Sequence, residues 1–522
     1  MHLSRLSSRG PSRLPVVLFS ALTLVSVHAL SGCGAAQVIS GAQRINISEA
    51  EVQAEGRETH QEIVRNKLIY TDERINAYVS RVGTRVAAAA QSRNGGANAQ
   101  LIFRFFVLDD PDTNAFAVPG GYVYVTRGLL AMLNSEDELA SVLAHEVAHI
   151  TDGHSVKASQ AAARANVVSG LGTMGLTVLS VITFNPLLMG LATTSETATA
   201  FGSAIYENGY SRDIELTADR IGRSYSTLAG YDRSAGTRVL LSFQQEAKWG
   251  EKQAEVRGIK PQAVWGVLAD HPENKTRIDA LATSPNLPGT LRPAEADYLS
   301  SIDGLVFGIS DRIGVQRGNT FYSQAHDLSL AVPPGWFVAQ APNEQSVMFF
   351  SEKNTARVVL ISQDLSTRAD AKGFAEQFFT GSQLAGVTRS TAGQQVWRGT
   401  VISKSMLGGG ATYQAMTWTQ SERGFALVGV RDAKSPLSET AWLKSFDKVA
   451  GSFKPLRGDE KVLAQSIKVR LAVPTKKKPL DYRSLALNAP LGSEAEDVLR
   501  VINGQYGSKA KPLSGQRLKV LR

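Results

Sequence analysis

The sequence predicts an α+β protein of more than one folded unit, and three observations carry the prediction. Apolar residues recur at three- and four-residue spacing through much of the first half, and seven short runs of strand-forming residues occupy the second. The 522 residues also exceed what one hydrophobic core ordinarily organises. The expected order is a mostly helical domain with a small sheet (48–310), an α+β accessory domain (319–455) and a small C-terminal segment (465–522). An apolar content of 43% suits folded domains, and the excess of 56 basic over 47 acidic residues is spread along the chain apart from Lys476, Lys477 and Lys478. That distribution reads as a basic surface, not a nucleic-acid footprint, so no nucleic-acid partner is expected.

The first residues read as a targeting segment. Arg5, Arg9 and Arg13 precede an apolar run over 16–30 and then Leu30-Ser31-Gly32-Cys33. The run is shorter than the roughly 20 residues of a spanning helix, and small residues stand before the cysteine, as a signal peptidase requires. Residues 1–32 are therefore expected to be a lipoprotein signal peptide and 33–47 a tether. Cys33 is the only cysteine, so it has no internal disulfide partner and is the expected site of lipidation. Gly34 follows it, with no aspartate there to favour inner-membrane retention, which points to the periplasmic side of an outer membrane.

Beyond the tether, Ser48 precedes a polar helical pattern. A second helix near 72–90 sets Ile75, Tyr78, Val79, Val82 and Val86 on one face. Strands are expected at 101–108 and 121–126, with Asn114-Ala115-Phe116-Ala117-Val118-Pro119-Gly120 as the turn between them. Ser135 and Glu138 form a capping-box pattern, so a helix should begin there and run past His149. No charged residue occurs between Arg164 and Glu196, but Pro186 and many Gly and Thr residues interrupt that stretch. It is read as apolar helices covering a cleft, not as a bilayer span.

In the accessory region strands are expected at 328–332, 336–338, 347–350, 357–362, 396–403, 413–419 and 425–430, with helices at 369–379 and from near Leu437 through Phe446. This pattern suggests a curved antiparallel sheet with its helices on one face. The C-terminal segment, with a strand at 467–473, a helix near 494–501 and a closing Gly515-Gln516-Arg517-Leu518-Lys519-Val520, resembles a degenerate LysM module. The resemblance implies peptidoglycan contact.

His145-Glu146-Val147-Ala148-His149 lies inside the capped helix. Residues four apart project from one helix face, so both imidazoles can meet one cation while Glu146 lies beside them. A catalytic zinc needs a third protein ligand and an open position. His154 follows too closely for the metzincin spacing and reads as a helix-end histidine. Glu215 is the better third ligand, and Asp219, on the same helical face, can accept the ring N–H of a ligand histidine.

These residues carry a resemblance. Asn114-Ala115-Phe116, Pro119-Gly120-Gly121, Gly128-Leu129, His145 to His149, Glu215 to Asp219, His271-Pro272 and Arg277-Ile278 occur in order over roughly 45–285. Together they resemble the HtpX and CAAX-prenyl-endopeptidase superfamily of gluzincins, in its periplasmic lipoprotein branch. The resemblance implies one zinc ion per chain, bound by His145, His149 and Glu215, with Glu146 catalytic. His271 is a further catalytic candidate, as oxyanion donor or as a gate that swings onto the metal. Gly121, Tyr122, Val123 and Tyr124 are expected to align an extended substrate by strand addition. The function expected is hydrolysis of unfolded or misassembled envelope proteins. The rival readings are an envelope chaperone or assembly factor with a largely closed metal site, and a peptidoglycan-tethered scaffold.

Overall fold

A computed structural model describes residues 49–65, 68–93, 101–154, 212–256, 274–283 and 297–522, the last range less 311, 341–345, 352–354, 366, 404–410, 421, 432–434, 477–479, 510 and 513. Cys33, His271 and the uncharged stretch after Arg164 lie outside the described residues. Among the described residues, no helix is long and apolar enough to cross a membrane.

Helices and strands are mixed as expected, and the protein is α+β. Helix α1 (Glu49–Arg65) and helix α2 (Glu73–Arg93) precede strands β1 (Arg104–Leu108), β2 (Ala115–Val118) and β3 (Tyr122–Thr126). Ile75, Val79, Val82 and Val86 of α2 are fully buried, which places the predicted apolar stripe on the core. Each such side chain contributes about 1.5–3 kcal/mol on burial.

The small sheet departs from expectation in one respect that matters for substrate. Its order is β1-β3-β2, with β3 parallel to β1 and antiparallel to β2. The segment expected as a turn is thus a strand, and the reversal is confined to Pro119-Gly120-Gly121. There Gly120 and Gly121 take φ of 88° and 83°, and a Cβ on Gly121 would lie 2.3 Å from the Ile102 carbonyl oxygen. Gly121, Tyr122, Val123 and Tyr124 therefore cannot serve as the substrate-pairing strand. The β3 backbone is hydrogen-bonded on both sides, so among the described residues the edges of the sheet are β2 and β1, the latter partly covered by Ile69 and Tyr70 at Leu108 and Val107.

Helix α3 (Arg127–Met132) leads to α4 (Glu136–Thr151). The Ser135 hydroxyl accepts from the Glu138 N–H at 3.2 Å. Glu138 reaches back to the N–H of Asn134 at 2.7 Å, one residue earlier than a capping box requires. Helices α5 (Arg212–Leu228), α6 (Ala235–Val256), α7 (Asn274–Thr283) and α8 (Tyr298–Ser301) and strand β4 (Val306–Phe307) complete this part.

Strands β5 (Val315–Arg317), β6 (Thr320–Ser323) and β7 (Leu328–Ala331) form an antiparallel sheet. A second, seven-stranded antiparallel sheet is built from β8 (Trp336–Gln340), β9 (Ser346–Ser351), β10 (Ala356–Asp364), β11 (Gln383–Thr391), β12 (Gln394–Ser403), β13 (Ala411–Gln420) and β14 (Arg423–Arg431). Its helices, α9 (Ala371–Phe378) and α10 (Glu439–Gly451), lie on opposite faces and not on one. Ala415 and Thr417 face α9, while Met416 and Trp418 belong to the cluster that contains Trp442 and Phe446 of α10. Alternation along β13 turns these two sets to opposite sides.

After the short α11 (Glu460–Leu463), strand β15 (Ile467–Ala472), helices α12 (Tyr482–Ala486) and α13 (Ala495–Ile502) and strand β16 (Leu518–Leu521) form a β-α-α-β unit. Strand β15 pairs with both β16 and β4. One hydrophobic cluster contains Val82, Leu129, Leu139 and Val147 together with Val469, Leu499, Ile502 and Leu521. The C-terminal segment thus shares the core that holds α4.

Candidate metal centre

The first turn of α4 is fixed from several sides. Glu136 accepts from the hydroxyls of Tyr78 at 2.8 Å and Tyr231 at 3.1 Å, and Asp137 accepts from the Asp232 N–H at 2.9 Å. The three acidic residues of that turn also oppose the positive end of the helix dipole. Helix α5 crosses α4 in close contact, because a Cβ on Gly222 would lie 2.8 Å from the His145 backbone nitrogen. That approach carries Glu215, fully buried, to the two histidines.

His145 Nε2 lies 3.0 Å from His149 Nε2 and 3.5 Å from Glu215 Oε2, and His149 Nε2 lies 3.3 Å from Glu215 Oε1. Among the described residues these three form the group whose donor atoms can hold a metal ion. Tetrahedral zinc with bonds of 2.0–2.1 Å separates its ligand atoms by about 3.3 Å, so the spacing fits. The donor chemistry fits as well. Burial would lower the His145 pKa, yet the carboxylates of Glu215 and Asp219 outweigh it and raise it to about 10. The site is built to hold positive charge, and a metal ion entering it displaces that proton.

The neighbouring groups orient the donors. Asp219 Oδ1 lies 3.0 Å from His145 Nδ1, as its helical phase predicts. Burial would raise the Asp219 pKa, but Arg277 and His145 hold it down at about 2. His154 Nδ1 lies 3.2 Å from His149 Nδ1 and its Nε2 is 2.7 Å from Asp152, so the helix-end histidine abuts a candidate ligand.

Arg277 is the functional residue that spacing alone did not assign. Its Nε and Nη2 each donate to Asp219 at 2.7 Å, and its Nη1 lies 2.8 Å from Glu215 Oε2. It takes one oxygen of Glu215 and leaves Oε1 toward the histidines. A signal existed: Arg277-Ile278 is one of the pairs that carry the resemblance, and carboxylates at Glu215 and Asp219 offer a guanidinium its partners. Glu146, 3% exposed, lines a cleft together with His145, Asp219 and Arg277.

A buried two-histidine, one-glutamate centre with an adjacent carboxylate, set on crossed helices beside a small sheet, can hold a metal ion with a proton acceptor beside it. Residues 73–284 match the model of peptidase family M48. The putative beta-barrel assembly-enhancing protease of Vibrio cholerae is 32% identical over 187 residues, 36% of this chain and 36% of that protein. The beta-barrel assembly-enhancing protease of Escherichia coli is 26% identical over 225 residues, 43% of this chain and 41% of its own. The mitochondrial metalloendopeptidase OMA1 of Bos taurus is 30% identical over 230 residues, 43% of this chain and 40% of its own. The chain thus matches about two-fifths of the length of these curated relatives.

Proposed function

We propose that this protein is a zinc-dependent endopeptidase of the bacterial envelope that hydrolyses peptide bonds in unfolded or misassembled proteins. The observation that carries the reading is the convergence of His145, His149 and Glu215 at ligand spacing, with Glu146 in the adjoining cleft. The names of the assembly-enhancing relatives support a role in envelope protein quality control. The basic and apolar N-terminus ending at Cys33 supports lipid anchoring on the periplasmic side of the outer membrane.

Zinc, held by His145, His149 and Glu215, would supply Lewis acidity to the scissile carbonyl and to an attacking water. The Glu146 carboxylate takes a proton from that water and returns it to the leaving amine. Asp219 fixes the ring of His145 through Nδ1, and Arg277 holds Glu215 and Asp219 in register. The substrate backbone pairs with the open edge of β2, whose Ala115 lines the cleft.

Glu146→Gln tests this. The variant is expected to retain zinc while losing at least about a hundred-fold in cleavage of an unfolded protein such as casein. Undiminished cleavage would refute the assignment. Loss of cleavage with the cellular phenotype preserved would favour a binding role over hydrolysis.

A further inference from the structure

The cleft beside Glu146 has a composition that the hydrolytic chemistry alone does not require. It is open to solvent, spans about 550 Å³ with the solvent at its mouth included, and is contributed by α4, α5, α6, α7 and β2. Away from the metal ligands its walls are Val142, Val239, Leu240, Phe243 and Leu281, all nearly buried by the protein itself. Val142 sits one helical turn before Glu146, so this apolar wall begins where the scissile bond must lie. Gly236 lines the cleft as well, and a Cβ there would come 2.9 Å from Ser141 Oγ and 3.4 Å from Leu281 Cδ1. Two cations complete the lining. Arg223 lies one turn beyond Asp219 on α5, and Arg233 stands exposed before α6. Burial and the nearby Arg233 charge hold the Arg223 guanidinium below the usual arginine range. Both guanidinium groups line the same cleft and can each donate to a carboxylate that enters it.

We propose that this cleft is a specificity pocket that takes a leucine- or phenylalanine-sized apolar side chain next to the scissile bond, with an acidic substrate residue beside it held by Arg223 and Arg233. The inference rests on the endopeptidase reading and adds to it the class of sequence that is cut. An apolar segment of this kind is buried in a folded substrate and exposed in an unfolded one, so the pocket would itself distinguish the two states.

The test uses the full-length zinc-loaded protein and internally quenched peptides that differ at one residue (Leu, Phe, Ala or Asp) and at its neighbour (Glu, Gln or Lys), with cut sites mapped by mass spectrometry. Cleavage is expected next to Leu or Phe, with kcat/KM about ten-fold or more above the Ala and Asp peptides, and with Glu preferred over Lys as neighbour. Arg233→Glu should invert the charge preference and leave the apolar preference intact. Gly236→Ala should penalise Phe more than Ala. Fluorescence anisotropy with the Glu146→Gln protein, which binds without cutting, should rank the same peptides in the same order. Equal cleavage and equal binding across the panel would overturn the pocket assignment and leave the endopeptidase reading standing. Failure of the loaded wild type to cut any peptide, matching the Glu146→Gln protein, would overturn both.

Discussion

Replacing Asp219 by asparagine separates the orientation of the metal ligands from the ligands themselves. Asp219 is 9% exposed and serves three contacts: His145 Nδ1 at 3.0 Å and two Arg277 donors at 2.7 Å each. An asparagine amide has one oxygen and one NH2, so whichever way it turns, a donor faces a donor of Arg277 or of His145. Second-layer partners of ligand histidines are worth about 10–100-fold in metal affinity, or roughly 1.4–2.8 kcal/mol. Breaking a buried charge pair costs roughly 3–5 kcal/mol. Arg277 keeps Glu215 at 2.8 Å, so the lower end of that range is expected for the metal-free protein. Competition with a chromophoric chelator measures the first quantity, and urea unfolding of the stripped protein at neutral pH measures the second. Zinc affinity and urea midpoint both unchanged from wild type would refute the argument that Asp219 and Arg277 hold the centre together.

Two further outcomes follow from buried charges away from the metal. Lys519 of β16 is fully buried, and its ammonium donates to the carbonyls of Ala131 at 2.7 Å, Leu133 at 2.7 Å and Met132 at 3.2 Å. Lys519→Met leaves those carbonyls without their donor at the entry to α4 and should cost about 3 kcal/mol in urea unfolding, whereas an unshifted midpoint would show the contact to be dispensable. Glu246 accepts from the Thr113 hydroxyl at 2.6 Å, and burial, opposed by that bond and reinforced by Asp112, raises its pKa to about 7 from 4.5. The folded protein then keeps a proton that the unfolded chain has released, so this residue's contribution to stability falls as pH rises from about 4.5 to about 7. Glu246→Gln should therefore stabilise the protein by roughly 3 kcal/mol at pH 8 and make little difference near pH 4, and a stability difference independent of pH would contradict this assignment.

Helical periodicity made much of the site readable from the sequence. His145, Glu146 and His149 needed only the four-residue repeat, and Glu215 with Asp219 repeated it. Arg277 stood in the matched pattern without a role, because its partners lie 58 and 62 residues earlier, at distances that spacing does not encode. Strand β2 was hidden because Asn114, Pro119 and Gly120 are turn residues that bracket only four strand positions. Strand β11 went unrecognised because most of its side chains are exposed, so it carries no apolar alternation. The two-faced packing of α9 and α10 was equally hidden, since alternation shows that a strand has two sides but not what covers each.

The pairing of Phe307 with Ile467 has a consequence for how the chain can be divided. The core built around Phe321, Phe349 and Trp418 lies wholly between these two positions, whereas the other core draws on residues before and after them. The sheet-rich region is thus a guest whose entrance and exit stand side by side. Excising it and joining the flanks with a short linker should leave a foldable remainder, whereas truncating the chain within it should remove Val469, Leu499, Ile502 and Leu521 from the core that holds α4.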